Sequence, residues 1–138
     1  MRSCKFKMSS STPASKTPNS ILHLVRAEYF EALPESESYL SETFAADGFI
    51  HCTGDSATLL EVANRFYQSV PGHMLVLVIA LDRLTAEVKW EAPIHPAGTS
   101  SPPEPGRLFP HIYGPVNRDA IVEVRAAGRA PDGAFLSV

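Results

Sequence analysis

The chain has 138 residues, 44% of them hydrophobic and 20% charged, which is enough for one domain with a real core and too few for two. Its 12 basic and 15 acidic residues leave a net charge of −3. Arg2, Lys5, Lys7 and Lys16 all fall within residues 1–19, which hold no acid, so the rest is acidic and lacks the basic surface that broad nucleic-acid binding needs. Residues 1–19 are rich in Ser, Thr and Lys without hydrophobic periodicity, the composition of a disordered tail, and a single ordered domain is expected over 20–138. A basic, acid-free start also suits an organelle-targeting peptide, but one Arg and little amphipathic pattern favour an untargeted, cytoplasmic protein.

ILHLV (21–25) reads as a short strand with Ile21, His23 and Val25 on one face. RAEYFEAL (26–33) reads as a short helix closed by Pro34. Residues 35–46 are mixed and polar, anchored by Tyr39, Leu40 and Phe44. GFIHCT (48–53) reads as a second strand, with Phe49, His51 and Thr53 on one side and Ile50 and Cys52 on the other. Asp55 or Ser56 caps a helix whose Leu59, Val62, Ala63, Phe66 and Tyr67 recur at helical spacing, and VPGH (70–73) ends it. MLVLVIAL (74–81) is too continuous for a half-exposed strand and too short to span a membrane, which points to the centre of a sheet. In LTAEVKWE (84–91), Leu84, Ala86, Val88 and Trp90 should face in, with Thr85, Glu87 and Lys89 facing out.

APIHPAGTSSPPEPG (92–106) carries five prolines and no periodicity, so it reads as a long excursion of the kind that is often functional. LFPHIYGPV (108–116) follows it directly. Pro110 cannot donate to a ladder and Pro115 should stop the strand, while His111 and Tyr113, two residues apart, project to the same side. Gly114 lets the chain turn or a ligand approach closely, so the segment suits a site wall. AIVEVRAA (120–127) gives a further strand, and PDG (131–133) turns into a short terminal one. Five or six short strands and two helices in mixed order indicate an α+β fold rather than a doubly wound one.

His23, His51 and His111 sit in or beside these strands, whereas His73 and His95 fall in a turn and the Pro-rich segment. Singly, each reads as a hydrogen-bonding residue of a half-buried strand; three in one small domain also fit a proton-handling cleft. Their spacing matches no short zinc motif, and Cys52 points away from its neighbour His51, so no metal site is expected. Cys52 on the core side reads as a structural thiol rather than a nucleophile. Glu91 ends a strand at the mouth of the Pro-rich segment, where a carboxylate acts as a base, stabilises positive charge, or stands as a surface acid. Arg65, beside an apolar helix stripe, is a candidate anion ligand or a solvated charge. No Gly-rich phosphate loop occurs, so a dinucleotide would not be held in the Rossmann manner.

The first-strand histidine in ILHL, GFIHCT, VANRFY, VKWE, FPHIYGPV and a late DG turn together resemble a family of small uncharacterised proteins, the domain-of-unknown-function 952 family, over roughly residues 20–136. The resemblance implies a fold similar to ADP-ribosyltransferases, a compact, split, mixed β-sheet with small helices, with NAD as a possible substrate held in a cleft near the first two strands. By position it gives His23 and the His51–Thr53 stretch contacts to the ribose and dinucleotide, Tyr113 a stacking role, and Glu91 the part of catalytic acid. The leading expectation is thus a His-rich cleft that binds a nucleotide or related small molecule and transfers or hydrolyses an ADP-ribose-type group. His23, His51, Glu91 and His111 are its catalytic candidates, and Thr53, Arg65, Tyr113 and Gly114 its ligand-binding ones. The alternatives are acid–base catalysis on an unrelated small metabolite by the same His and Glu residues, or a ligand-binding domain without catalysis.

Overall fold

A computed structural model describes residues 19–92 and 108–138. The basic tail up to residue 18 and nearly all of the Pro-rich segment, with His95, lie outside the described residues. The elements run β1 (Ser20–Arg26), α1 (Ala27–Ala32), α2 (Phe44–Asp47), β2 (Ile50–His51), α3 (Ser56–Phe66), β3 (Met74–Ala80), β4 (Glu87–Glu91), β5 (Phe109–Tyr113), β6 (Ile121–Ala126), β7 (Gly128–Arg129) and β8 (Phe135–Ser137). The α+β expectation holds. The expected short terminal strand is β8, whereas α2 and β7 are elements that the sequence reading did not foresee.

The strands form two three-stranded sheets, ordered β1–β3–β6 and β2–β5–β4, with β7 and β8 as a separate pair. Every pairing among them is antiparallel, so the mixed sheet expected from the resemblance gives way to antiparallel ones. The reason is topological. α3 leads from β2 in one sheet to β3 in the other, and so does not serve as the crossover that a parallel pair requires.

β3 is the middle strand of the first sheet, as its unbroken apolar run implies. One face of that sheet, with Ile21, Val25, Leu77 and Ile79, packs on Ile50, Cys52 and Ile112 of the second sheet together with Tyr39 and Val116. The other face, with Leu22, Val76 and Val78, packs on Leu59 of α3. A sheet covered on both faces has no solvent side, and so its central strand shows no alternation.

The cap of α3 is Asp55, whose carboxylate accepts from the Thr58 backbone N–H at 2.7 Å. α1 ends one residue before Leu33, whose N–H still reaches the Phe30 carbonyl, and Pro34 follows. Two polar hubs fix the C-terminal pair of strands. The Asn64 side chain accepts from the Phe135 N–H at 2.7 Å and donates to the Phe135 carbonyl at 3.0 Å. Arg129 donates to the carbonyls of Val70, Gly72, Tyr67, Gln68 and Gly133, with its guanidinium 4.4 Å from the Phe135 ring centre. Gly133 (φ +99°) completes that turn, because a Cβ there would meet the Gln68 carbonyl oxygen at 2.4 Å.

Pro110 sets the junction between the sheets. It lies fully buried inside the central strand of the second sheet, where it accepts from the Cys52 N–H at 3.2 Å but has no N–H to return. The β2 ladder therefore stops at His51. Two residues on, Thr53 pairs with Leu22 of β1, each donating to the other's carbonyl at 2.8 Å. One short strand thus serves both sheets in succession.

Candidate functional site

Alternation along β2, β4 and β5 sorts their side chains between the core and an outer face. Ile50, Ile112 and Val88 lie in register and face the core. His51, His111 and Lys89 lie in register on the opposite side, next to the Glu87–Tyr113 and Glu91–Phe109 pairs. Trp90 shares the Val88 side, as its spacing implies, but it is not enclosed. At the end of β4 it is 37% exposed, and its ring lies 3.2 Å from where a Cβ on Gly54 would stand.

On the outer face Glu91 is the hub. Its Oε1 accepts from the Tyr113 hydroxyl at 2.5 Å and from His111 Nδ1 at 2.8 Å. A carboxylate only accepts, so Nδ1 of His111 carries the proton of this bond. These two donors, Tyr113 first, hold the Glu91 carboxyl below its usual range, and the same bond raises the Tyr113 hydroxyl. Lys89 lies over the Tyr113 ring, 4.9 Å from its centre.

A second imidazole–carboxylate pair stands beside the first. Asp47, the last residue of α2, accepts from His51 Nε2 at 3.0 Å, which leaves the His51 lone pair on Nδ1. The ring centres of His51 and His111 are 5.7 Å apart in an edge-on arrangement. Burial lowers the His51 pKa, Asp47 opposes this, and His111 adds to the lowering. Phe49 covers His111 in a stack, ring centres 4.1 Å apart, so that His111 is only 1% exposed. The Glu91 side chain retains 34% exposure and that of His51 21%, and with half-buried Tyr113 and exposed Lys89 they form the reachable part of this face.

His23 is adjacent but belongs to the interior. It shares the core face of β1 with Ile21 and Val25, and is 5% exposed. Its Nδ1–H donates to the His51 carbonyl at 2.7 Å, and its Nε2 accepts from the Tyr39 hydroxyl at 2.6 Å. Both nitrogens are thus engaged, and burial pushes the pKa down to about 4. His23 reaches the outer face only through the backbone of His51.

The other expected ligand-binding residues separate. Tyr113 is in the cluster. Thr53 is buried, with its hydroxyl donating to the Asp55 carbonyl at 3.4 Å and its backbone joining the sheets. Arg65 lies in the last turn of α3, which packs on the opposite side of the first sheet, and its guanidinium is 5.6 Å from the Phe66 ring centre. Gly114 follows β5, where a Cβ would approach Ala86 Cβ to 3.2 Å, so the close approach there is to the protein's own chain. Cys52 is buried, and that burial pushes its thiol up, consistent with a structural thiol. Among the described residues, no three His, Cys, Asp or Glu side chains are grouped to hold a metal ion.

Sequence reasoning missed Asp47 and did not give Phe49 a site role. The signal for Phe49 was present, since it shares parity with His51. Asp47 lies four residues before His51, but the αL turn at Gly48 (φ +83°) that brings its carboxylate back is not announced by hydrophobic pattern.

A groove of about 530 Å³ lies elsewhere, between Gln68–His73 and Ala127–Gly133. Its one cation, Arg129, is spent on the five carbonyls named above. No helix among the described residues is long and apolar enough to cross a membrane.

No curated protein matches the chain. Among solved structures it is similar to protein CC0527 from Caulobacter crescentus, at 22% identity and a TM-score of 0.65, over 85% of this chain and 93% of that one. A double-mutant form of CC0527 is similar at 21% identity, with the same TM-score and coverage. At that identity the likeness shows a shared fold. A family model described as "Protein of unknown function (DUF952)" matches residues 24–124, well over half of the chain. The chain belongs to the DUF952 family of proteins of unknown function.

Proposed function

We propose that the outer face of the β2–β5–β4 sheet binds a small polar molecule and acts on it by acid–base chemistry. One observation carries this reading: two imidazoles, each bonded to its own carboxylate, meet edge-on on one sheet face, with Tyr113 on the Glu91 oxygen that also holds His111. Half-buried polar clusters cost desolvation that a plain covered face avoids. In this reading His51 is the proton acceptor. Asp47 fixes its Nε2–H, and a lowered pKa keeps Nδ1 unprotonated near neutral pH. Tyr113 and His111 hold Glu91 ionised, and that carboxylate stabilises positive charge on the ligand. His111, beneath Phe49, is a positioning residue for Glu91, and His23 positions the His51 backbone.

A second reading is ADP-ribose-type transfer with NAD as substrate, on an ADP-ribosyltransferase-like fold. It is favoured by the assembly of His111, Tyr113 and an ionised Glu91 on one face, because a carboxylate suits the oxocarbenium-like state formed as a nicotinamide–ribose bond breaks. Calorimetry separates the readings. NAD or ADP-ribose binding that Glu91→Gln and His51→Ala abolish supports the second, and the absence of binding by folded protein at millimolar ligand removes it. The acid–base reading expects a thermal-shift screen of small polar metabolites to find a ligand whose stabilisation is lost in His51→Ala and Tyr113→Phe. Stabilisation that survives in both variants overturns it.

A further inference from the structure

β6 closes one edge of the first sheet, and among the described residues no strand pairs with its outer side. The Ala127 N–H donates to the Met74 carbonyl at 3.0 Å, in register with the β3–β6 ladder. Antiparallel strands alternate bonded and non-bonded pairs, so Arg125 and Glu123 also direct their backbone groups at β3. The N–H and C=O groups of Val124 and Ala126 therefore point out from the open edge. Val122 and Val124 are exposed beside them, at 49% and 47%. Natural edges are commonly blunted by bulges or inward charges. Here the register shift lies at the start of the strand, opposite Val78 and Ile79, and leaves residues 123–126 regular.

The side chains supply a pattern that reads the same from either end. Glu123 and Arg125 flank Val124 and are bridged to each other at 3.0 Å on the α3 side of the sheet. If the strand is turned about an axis through Val124 and laid antiparallel against itself, Glu123 falls opposite Arg125 of the second copy, and Arg125 opposite its Glu123. Val124 meets Val124 on the axis, in a pair that exchanges both backbone bonds. The four charges then alternate in sign around a rectangle, two of whose sides are bridges already present in each chain. Opposite charges facing across antiparallel strands are favourable and like charges unfavourable, and two-fold interfaces need such self-complementary patches.

We infer that the occupant of this edge is a second copy of the chain, joined β6 to β6 to give one continuous six-stranded antiparallel sheet. This rests on the β6 edge alone and is independent of the site on the other sheet.

Sedimentation velocity on the full chain tests it. The wild type is expected to sediment as a concentration-dependent dimer in the micromolar range. Glu123→Arg sets arginine against Arg125 of the second copy and is expected to raise the dissociation constant about tenfold or more. The exchange Glu123→Arg with Arg125→Glu restores the alternating pattern, and dimerisation is expected to return. Val124→Lys brings two ammonium groups together on the axis, at a position already exposed in the single chain, and is expected to give a monomer. A wild type that stays monomeric throughout that range overturns the inference and leaves the edge to a strand of another protein. A dimer that both Glu123→Arg and Val124→Lys leave intact overturns it equally.

Discussion

At His51 two influences oppose each other, and a single carboxylate measures their balance. Burial lowers the ring's pKa and Asp47 raises it, with burial the larger. Asp47→Asn removes the negative charge, so the His51 pKa is expected to fall further, which a proton-NMR titration of the ring signals reads directly. A rise in that variant would mean that the Asp47 contact does not act on His51 as the geometry implies. Glu91 offers a companion test. Its first support is the Tyr113 hydroxyl, so Tyr113→Phe is expected to return the Glu91 carboxyl towards its usual range, followed by carboxyl carbon shifts against pH. Much of this cluster was legible in the sequence, because period-two alternation alone places His51 with Phe49, and His111 with Tyr113. The same rule placed His23 beside Ile21 and Val25. Given two apolar neighbours on its face, that position already pointed to the core more than to a cleft.

Among the elements, the two polar hubs carry the C-terminal strands, since β7 and β8 are only two and three residues long. Arg129 bonds five carbonyls with a planar fork that an ammonium cannot reproduce. Arg129→Lys is expected to cost about 2 kcal/mol in urea unfolding, the scale of lost hydrogen bonds to a charged donor. A cost below about 0.5 kcal/mol would show that the turn holds without the fork. Local signals located α1, α3 and β3 well, because Pro34, the Asp55 cap and an unbroken apolar run each act within their own segment. The C-terminal pairing was not legible. It depends on Asn64 meeting Phe135, contacts 71 residues apart in the chain.

For the whole molecule, His23 ties stability to acidity. Burial pushes its pKa from 6.5 to about 4, so between those values the unfolded chain binds a proton that the folded chain refuses. Stability is therefore complete above the unfolded value and falls as pH drops towards 4, by about 3 kcal/mol from this residue. His51 adds a loss of the same sign. Urea midpoints across that window are expected to decline less steeply in His23→Gln than in the wild type, and equal slopes would contradict the assignment. The α+β class followed from element order, but the antiparallel strand partners within the two sheets did not, because they are fixed by long-range pairing and by the missing N–H of Pro110. The functional claim is that the outer face of the second sheet is the binding surface. Backbone NMR titration of the full chain with NAD, ADP-ribose and small polar metabolites tests it most directly. The expected result is a set of shifts confined to residues 47–51, 87–91 and 111–113 that His51→Ala abolishes. Shifts that map instead to the Gln68–Gly133 groove, or that persist in His51→Ala, would contradict it.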